Sequence, residues 1–260
     1  MPTLDVFALA GGYLDLDRGL MLPDGGPAAR WTVPVPCVLV VHPRGRLLFD
    51  TGVHCQTITD AVGRLGAARA ERFGIRSAPG DDVVSQLARL GLAPTDIDHV
   101  ANSHFHFDHC GGNEFFPHAR FLVQRRESDA ARAALATPTD RYRPSAQDYD
   151  HPLPYEPIDG AHDVFGDGTV VLLPTYGHTP GHQSLLVRAG KATRLVFTAD
   201  ACYTQANMDR ALLPLVRWDA GEMSRSLGAL RDLRDKDGAA LFYGHDPAQW
   251  AAIGLPAKLA

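Results

Sequence analysis

Apolar residues recur along the chain with two periods, and their order sketches a layered α/β protein. Residues 35–41 form a valine-rich apolar run of the kind a buried strand carries. Gly45 offers a turn, and residues 46–49 read as the hairpin partner of that strand. Residues 4–9 alternate like a short strand that Gly11-Gly12 breaks. Residues 13–34 then read as a loop, with Leu14, Leu16, Leu20, Met21, Leu22 and Trp31 scattered among Asp, Gly and Pro. A structureless run of that length is unusual in a compact domain and often functional. Its apolar residues either wall a substrate pocket or fill core. Three-to-four spacing predicts helices over 57–72 and 81–91. Asp81-Asp82 open the second at the positive end of its dipole, and Gly91 closes it. A strand over 98–102, a strand over 120–123 and a helix over 127–136 follow. Residues 137–157 hold five prolines without periodicity and read as an insertion or lid. Short strands return at 169–173, 184–187 and 194–198, then a helix over 222–234, a strand over 240–243 and a helix over 247–253.

Composition narrows the class. The 260 residues are 45% hydrophobic and 21% charged, ordinary for a soluble globular protein, and they read as one domain over 1–260. A net charge of −5 leaves no basic footprint, which argues against a nucleic-acid partner. Cys37, Cys55, Cys110 and Cys202 form no CxxC pair, so free thiols in a reducing compartment are the simpler reading. No basic segment precedes an apolar run at the N-terminus, and no run approaches the roughly 20 residues of a membrane helix. The expectation is a cytoplasmic protein without a membrane partner.

The densest chemistry lies in Ser103-His104-Phe105-His106-Phe107-Asp108-His109-Cys110-Gly111-Gly112, three imidazoles and a carboxylate within six residues. These are the ligand types of zinc and its neighbours. His104 and His106 are two apart, so extended backbone aims both at one face with Phe105 on the other. A bend into a turn or helix start then points Asp108 and His109 into the same pocket. Four such groups crowd one open catalytic ion but divide well between two. Three later strand ends offer the same chemistry: the run Gly177-His178-Thr179-Pro180-Gly181-His182 with two imidazoles, Asp200 after an apolar strand, and Gly244-His245. Asp200 is the leading candidate to bridge two ions, a role that needs both carboxylate oxygens. Asp50, at the end of the 46–49 strand, suits an outer position that hydrogen-bonds a metal-binding histidine.

In this order, His104-x-His106-x-Asp108-His109, Gly177-His178, Asp200 and Gly244-His245 resemble the metallo-β-lactamase superfamily over about residues 33–250. The stretch from Ser103 to Asn113 and the run Asp200-Ala201-Cys202-Tyr203-Thr204 resemble its quorum-quenching N-acyl-homoserine lactone lactonases. 4-Pyridoxolactonase, a close relative of those enzymes, shares much of the pattern, including Phe116-Pro117-His118-Ala119. The resemblance implies an αβ/βα sandwich of two mixed sheets flanked by helices. It implies that His104, His106 and His178 hold one divalent ion, that Asp108, His109 and His245 hold a second, and that Asp200 bridges. His182 is then an outer or core residue. Zinc is the favoured metal, with cobalt, manganese and iron also suited. A hydroxide shared by the ions would open a small-molecule lactone, with Tyr203 steadying the oxyanion and Asp108 passing a proton to the leaving oxygen. The resemblance admits a homodimer. Its nearest rivals keep the metal site and change the substrate, to 4-pyridoxolactone, a thioester or a phosphotriester.

Overall fold

The computed structural model describes residues 4–137, 142–190 and 192–260. It contains the strands β1 (Asp5–Asp17), β2 (Arg30–His42), β3 (Gly45–Phe49), β4 (His99–Ala101), β5 (Arg120–Gln124) and β6 (Tyr155–Ile158). They are followed by β7 (His162–Asp163), β8 (Val170–Pro174), β9 (Gln183–Ala189), β10 (Thr193–Phe197), β11 (Ala240–Phe242) and β12 (Ala257–Lys258). A seven-stranded sheet runs β12-β1-β2-β3-β4-β5-β6 and a five-stranded sheet runs β11-β10-β9-β8-β7. Both are mixed: β1, β2 and β3 pair antiparallel while β3 to β6 pair parallel. In the other sheet β10 pairs parallel with β11 and antiparallel with β9.

The two-residue period decides which side chains meet. Val38, Val40, Leu47 and Phe49 of the first sheet pack against Val170, Leu172, Leu185, Val187 and Phe197 of the second, forming the layer between the sheets. Their neighbours Cys37, Leu39 and Leu48 point the other way, onto Val83 and Leu87 of the helix Val83–Arg89. Leu186, Val196 and Leu241 likewise turn outward onto Leu227 and Leu230 of the helix Ala220–Asp235. Each fully buried Val, Leu or Phe contributes about 1.5–3 kcal/mol relative to exposure. The inter-sheet layer is therefore the main apolar support, and the helices clothe the outer faces. The expected αβ/βα sandwich is the observed one. No helix among the described residues is long and apolar enough to cross a membrane.

Four local readings change. Gly11-Gly12 does not end the first strand; β1 continues to Asp17 with a register shift between Ala10 and Tyr13. A Cβ at Gly11 would lie 2.5 Å from Cys37 Sγ and 2.7 Å from Gly52 Cα, so the glycine serves close packing inside a bulged strand. Residues 13–34 are consequently strand, a short helix (Arg18–Met21) and strand, with irregular backbone only between Leu22 and Ala29. Their apolar side chains join Phe107 and Tyr203 in one cluster, so they fill core beside the candidate site. The helix expected over 57–72 is three: Cys55–Thr59, Ala61–Leu65 and Ala67–Phe73. Asp60 breaks the first from the second by capping Gly63 N at 2.9 Å, and Gly66 at φ +79° separates the third. Within 137–157, residues 138–141 lie outside those described, and residues 155–158 are β6, the edge of the larger sheet. That segment is no free insertion: Ser145 N donates to Phe105 O at 2.8 Å beside the histidine motif.

Candidate active site

The functional side chains gather where strands end. β3 runs into Asp50, β4 delivers Ser103 and His104, β10 leads to Asp200 and β11 to His245. His178 occupies the turn between β8 and β9, and the helix Phe107–Cys110 starts directly after His106. His106 is extended at φ −77° and ψ 153°, so His104 and His106 share a face. Phe105 points oppositely and stacks on Tyr149 at 4.6 Å between ring centroids. Asp108 and His109 then enter from the helix, as the spacing suggested.

Two groups of donor atoms result. His104, His106, His178 and Asp200 place ligand atoms within 4.8 Å of one another, as do Asp108, His109 and His245. Asp200 joins the two. Its Oδ2 lies 3.1 Å from His178 Nε2 and 3.9 Å from His104 Nε2. Its Oδ1 lies 3.0 Å from His245 Nε2 and 3.2 Å from His109 Nε2. Asp108 Oδ2 closes the second group at 3.7 Å from His109 Nε2 and 3.9 Å from His245 Nε2. All seven candidate ligands from the sequence are thus brought together, and each Asp200 oxygen faces a different group.

The outer contacts fix which nitrogen faces inward. Asp50 Oδ2 lies 2.8 Å from His109 Nδ1 and accepts from Ser103 Oγ at 2.8 Å, and Ser103 Oγ stands 2.9 Å from His104 Nδ1. His245 Nδ1 donates to the Pro34 carbonyl at 2.8 Å and His178 Nδ1 to the Val216 carbonyl at 3.1 Å. Four Nε2 atoms are therefore aimed at the centre, the arrangement metal-binding imidazoles show. Asp50 holds a left-handed backbone, φ +62°, which its bonds to Ser103 N and Oγ maintain. His182 remains outside the groups: its Nε2 accepts from Asp200 N at 3.1 Å and so orients the shared carboxylate. His54 caps the helix Cys55–Thr59 and pairs with Glu114 at 2.7 Å, away from both groups. The four cysteines are free, and Cys110 is buried with its Sγ on the His106 carbonyl.

The donor set fits divalent metal on two grounds. His109 Nε2 and Asp200 Oδ1 are buried yet make no hydrogen bond, although buried polar atoms are costly when unsatisfied. Charge points the same way. Burial and neighbouring imidazoles hold His104 and His106 well below the usual histidine range, in the neutral form a metal needs. Burial also disfavours charge on His109, but the carboxylates of Asp200, Asp108 and Asp50 outweigh it and raise that imidazole. Burial alone would raise Asp200, yet His109, His245 and His178 hold it well below the usual carboxylate range. The pocket draws positive charge.

The family model that matches the sequence describes the metallo-beta-lactamase superfamily and spans residues 30–245. The chain belongs to this superfamily. Among superfamily relatives, an N-acyl homoserine lactonase AttM of Azorhizobium caulinodans is 33% identical over 258 residues, 97% of each chain. An N-acyl homoserine lactonase of Bacillus sp is 30% identical over 249 residues, 96% of each chain. A solved N-acyl homoserine lactone hydrolase, with the product N-hexanoyl-L-homoserine at its catalytic metal center, superposes at TM-score 0.85. It is 28% identical, with 97% of both chains covered.

Tyr203 lies beside both donor groups. Its ring lies 5.3 Å from that of His245 and 5.8 Å from that of His178, and it is 5% exposed. Burial first, then the charges of Asp200 and Asp108, push its hydroxyl well above the usual tyrosine range. The carbonyls of Pro34 and Val216 were invisible from the sequence, because a backbone oxygen carries no residue signature. Ser103 had one signal, its place before the first histidine.

Proposed function

We propose that this chain is a metal-dependent lactonase that hydrolyses the lactone ring of N-acyl homoserine lactones, the reaction that quenches quorum signals. One observation carries the reading: end-to-end similarity to proteins named for that activity, including one holding the ring-opened product at its metal center. In this reading His104, His106 and His178 hold one ion, Asp108, His109 and His245 a second, and Asp200 both, with zinc favoured by the imidazole-rich set. Such a pair supplies Lewis acidity and lowers the pKa of water from 15.7 to about 7.

The chain's own groups do the rest. Tyr203 keeps its proton and donates it in a hydrogen bond to the carbonyl oxygen as that oxygen turns anionic. Asp108, whose side chain is 11% exposed at the rim of the second group, takes the proton released by attacking water. It returns that proton to the ring oxygen as the C–O bond breaks. The products are one alcohol and one carboxylic acid, which ionises to the carboxylate and releases its proton to solvent. The apolar cluster of Leu14, Met21, Val33, Phe107 and Tyr203 excludes water from one side.

Loss of one oxyanion donor costs about 10²–10³-fold in turnover. Tyr203→Phe is therefore expected to lower kcat by about 10²-fold with unchanged metal content. Full turnover in that variant would remove Tyr203 from the reaction. The substrate reading is tested by metal-replete protein on short- and long-chain N-acyl homoserine lactones, 4-pyridoxolactone, a thioester and a phosphotriester, with acid release followed by a pH indicator. Opening of the homoserine lactones ahead of the others is the expected result. Activity on 4-pyridoxolactone alone would transfer the same chemistry to another ring.

A further inference from the structure

Glu127 touches none of the seven converging side chains, yet its carboxylate ties together the loops that bear three of them. It lies in the first turn of the helix Arg125–Ala136 and is fully buried. Its Oε1 accepts from Phe105 N at 3.0 Å and from the Tyr142 hydroxyl. Its Oε2 accepts from Thr179 Oγ1 at 2.7 Å and from Gly181 N at 2.9 Å. Phe105 stands between His104 and His106, and Thr179 and Gly181 directly follow His178. The Tyr142 ring lies 6.1 Å from the His106 ring. One oxygen thus grips the His104–His106 loop and the other the His178 loop. Gly181 permits the approach: a Cβ there would lie 2.1 Å from Glu127 N.

We propose that Glu127 is a positioning residue for the His104–His106–His178 half of the metal centre and sets the affinity of that half for its ion. The inference rests on the two-ion reading above and goes beyond it by separating the halves. A buried carboxylate satisfied wholly by neutral donors is costly to retain for packing alone, since an apolar side chain of similar volume would serve that purpose. The other half has different support. His109 leans on Asp50 and His245 on the Pro34 carbonyl, and Glu127 bonds to neither. Outer hydrogen-bond partners of metal ligands change affinity by about 10–100-fold. Removing this carboxylate should therefore weaken one site by that factor and spare the other.

The test is a zinc titration of metal-stripped full-length protein against a chromogenic chelator, for wild type, Glu127→Gln and Thr179→Val, with thermal unfolding of each alongside. Wild type is expected to bind two ions. Glu127→Gln should lose about 10–100-fold at one site only. Thr179→Val, which deletes one of the four donors and leaves the carboxylate, should show a smaller loss at the same site. Equal losses at both sites would mark Glu127 as general scaffolding and overturn the proposal, as would affinities within twofold of wild type in both variants. Should Glu127→Gln not fold, Thr179→Val decides alone: a one-site loss supports the proposal and no loss overturns it. Wild-type protein that binds fewer than two ions refutes the two-ion reading itself, and the inference falls with it.

Discussion

Asp200→Asn is expected to lower kcat/KM on an N-acyl homoserine lactone by about 10³-fold or more. The reason is its geometry: each carboxylate oxygen faces a different donor group, at 3.0–3.2 Å from three imidazoles. An amide keeps the size of the side chain but turns one of those oxygens into an N–H donor and removes the charge. The group on that side then loses its share of the Asp200 carboxylate, and the six remaining side chains no longer have one in common. Metal assistance in such sites is worth several kcal/mol, and about 4 kcal/mol corresponds to about 10³-fold in rate. The check pairs kcat/KM at saturating zinc with zinc content per chain. A variant within tenfold of wild type, carrying two ions, would show that Asp200 does not join the groups.

A large stability effect is expected from Gly52→Ala, about 2–5 kcal/mol. Gly52 has φ +69°, and an added Cβ would sit 2.3 Å from Gly11 O and 2.5 Å from Gly11 Cα. Both atoms are backbone and cannot swing aside. Overpacking of this kind costs about 1–3 kcal/mol, and a left-handed backbone costs an L-residue about 1–2 kcal/mol more. Against a typical total of about 5–15 kcal/mol, that is a large share. The site would feel it too, because Gly52 O accepts from Gly111 N at 2.8 Å and Thr51 N donates to His109 O at 2.9 Å. Gly66→Ala is the control: φ is +79° there, but nothing lies within 4 Å of the added carbon. With ψ at 155° it sits outside the left-handed helical region, and its cost should be only the backbone part, about 1–3 kcal/mol. Urea unfolding separates the two by midpoint at a common slope. Equal midpoints would mean that the Gly11–Gly52 contact relaxes without cost.

The candidate site was far more legible than the chain around it, and the reason is chemical. Metal ligation admits few side-chain types, and here four such side chains, three His and one Asp, crowd into residues 104–109. Strands buried on both faces were legible for a similar reason, since 35–41, 169–173 and 194–198 have no polar period to confuse them. What escaped was set by distant contacts. Gly11-Gly12 looks like a strand end, but its purpose is the approach of Gly52 and Cys37 from elsewhere in the chain. Pro157 hides β6, yet a proline sits without penalty in an edge strand, whose outer side needs no N–H donor. Pro34 and Pro36 lie inside β2 because β3 pairs only with residues 38–42. Beyond that pairing the Pro34 carbonyl is free to receive His245. Glu127 reads in sequence as no more than the start of a helix, since its four donors come from three separate segments.

The most direct single measurement adds zinc back to metal-stripped protein while following the opening of an N-acyl homoserine lactone by acid release. The expected result is no turnover before zinc and a rate that saturates near two equivalents per chain. Undiminished turnover by the metal-free protein, or no ring opening at any loading, would contradict the assignment of this chain as a two-metal lactonase.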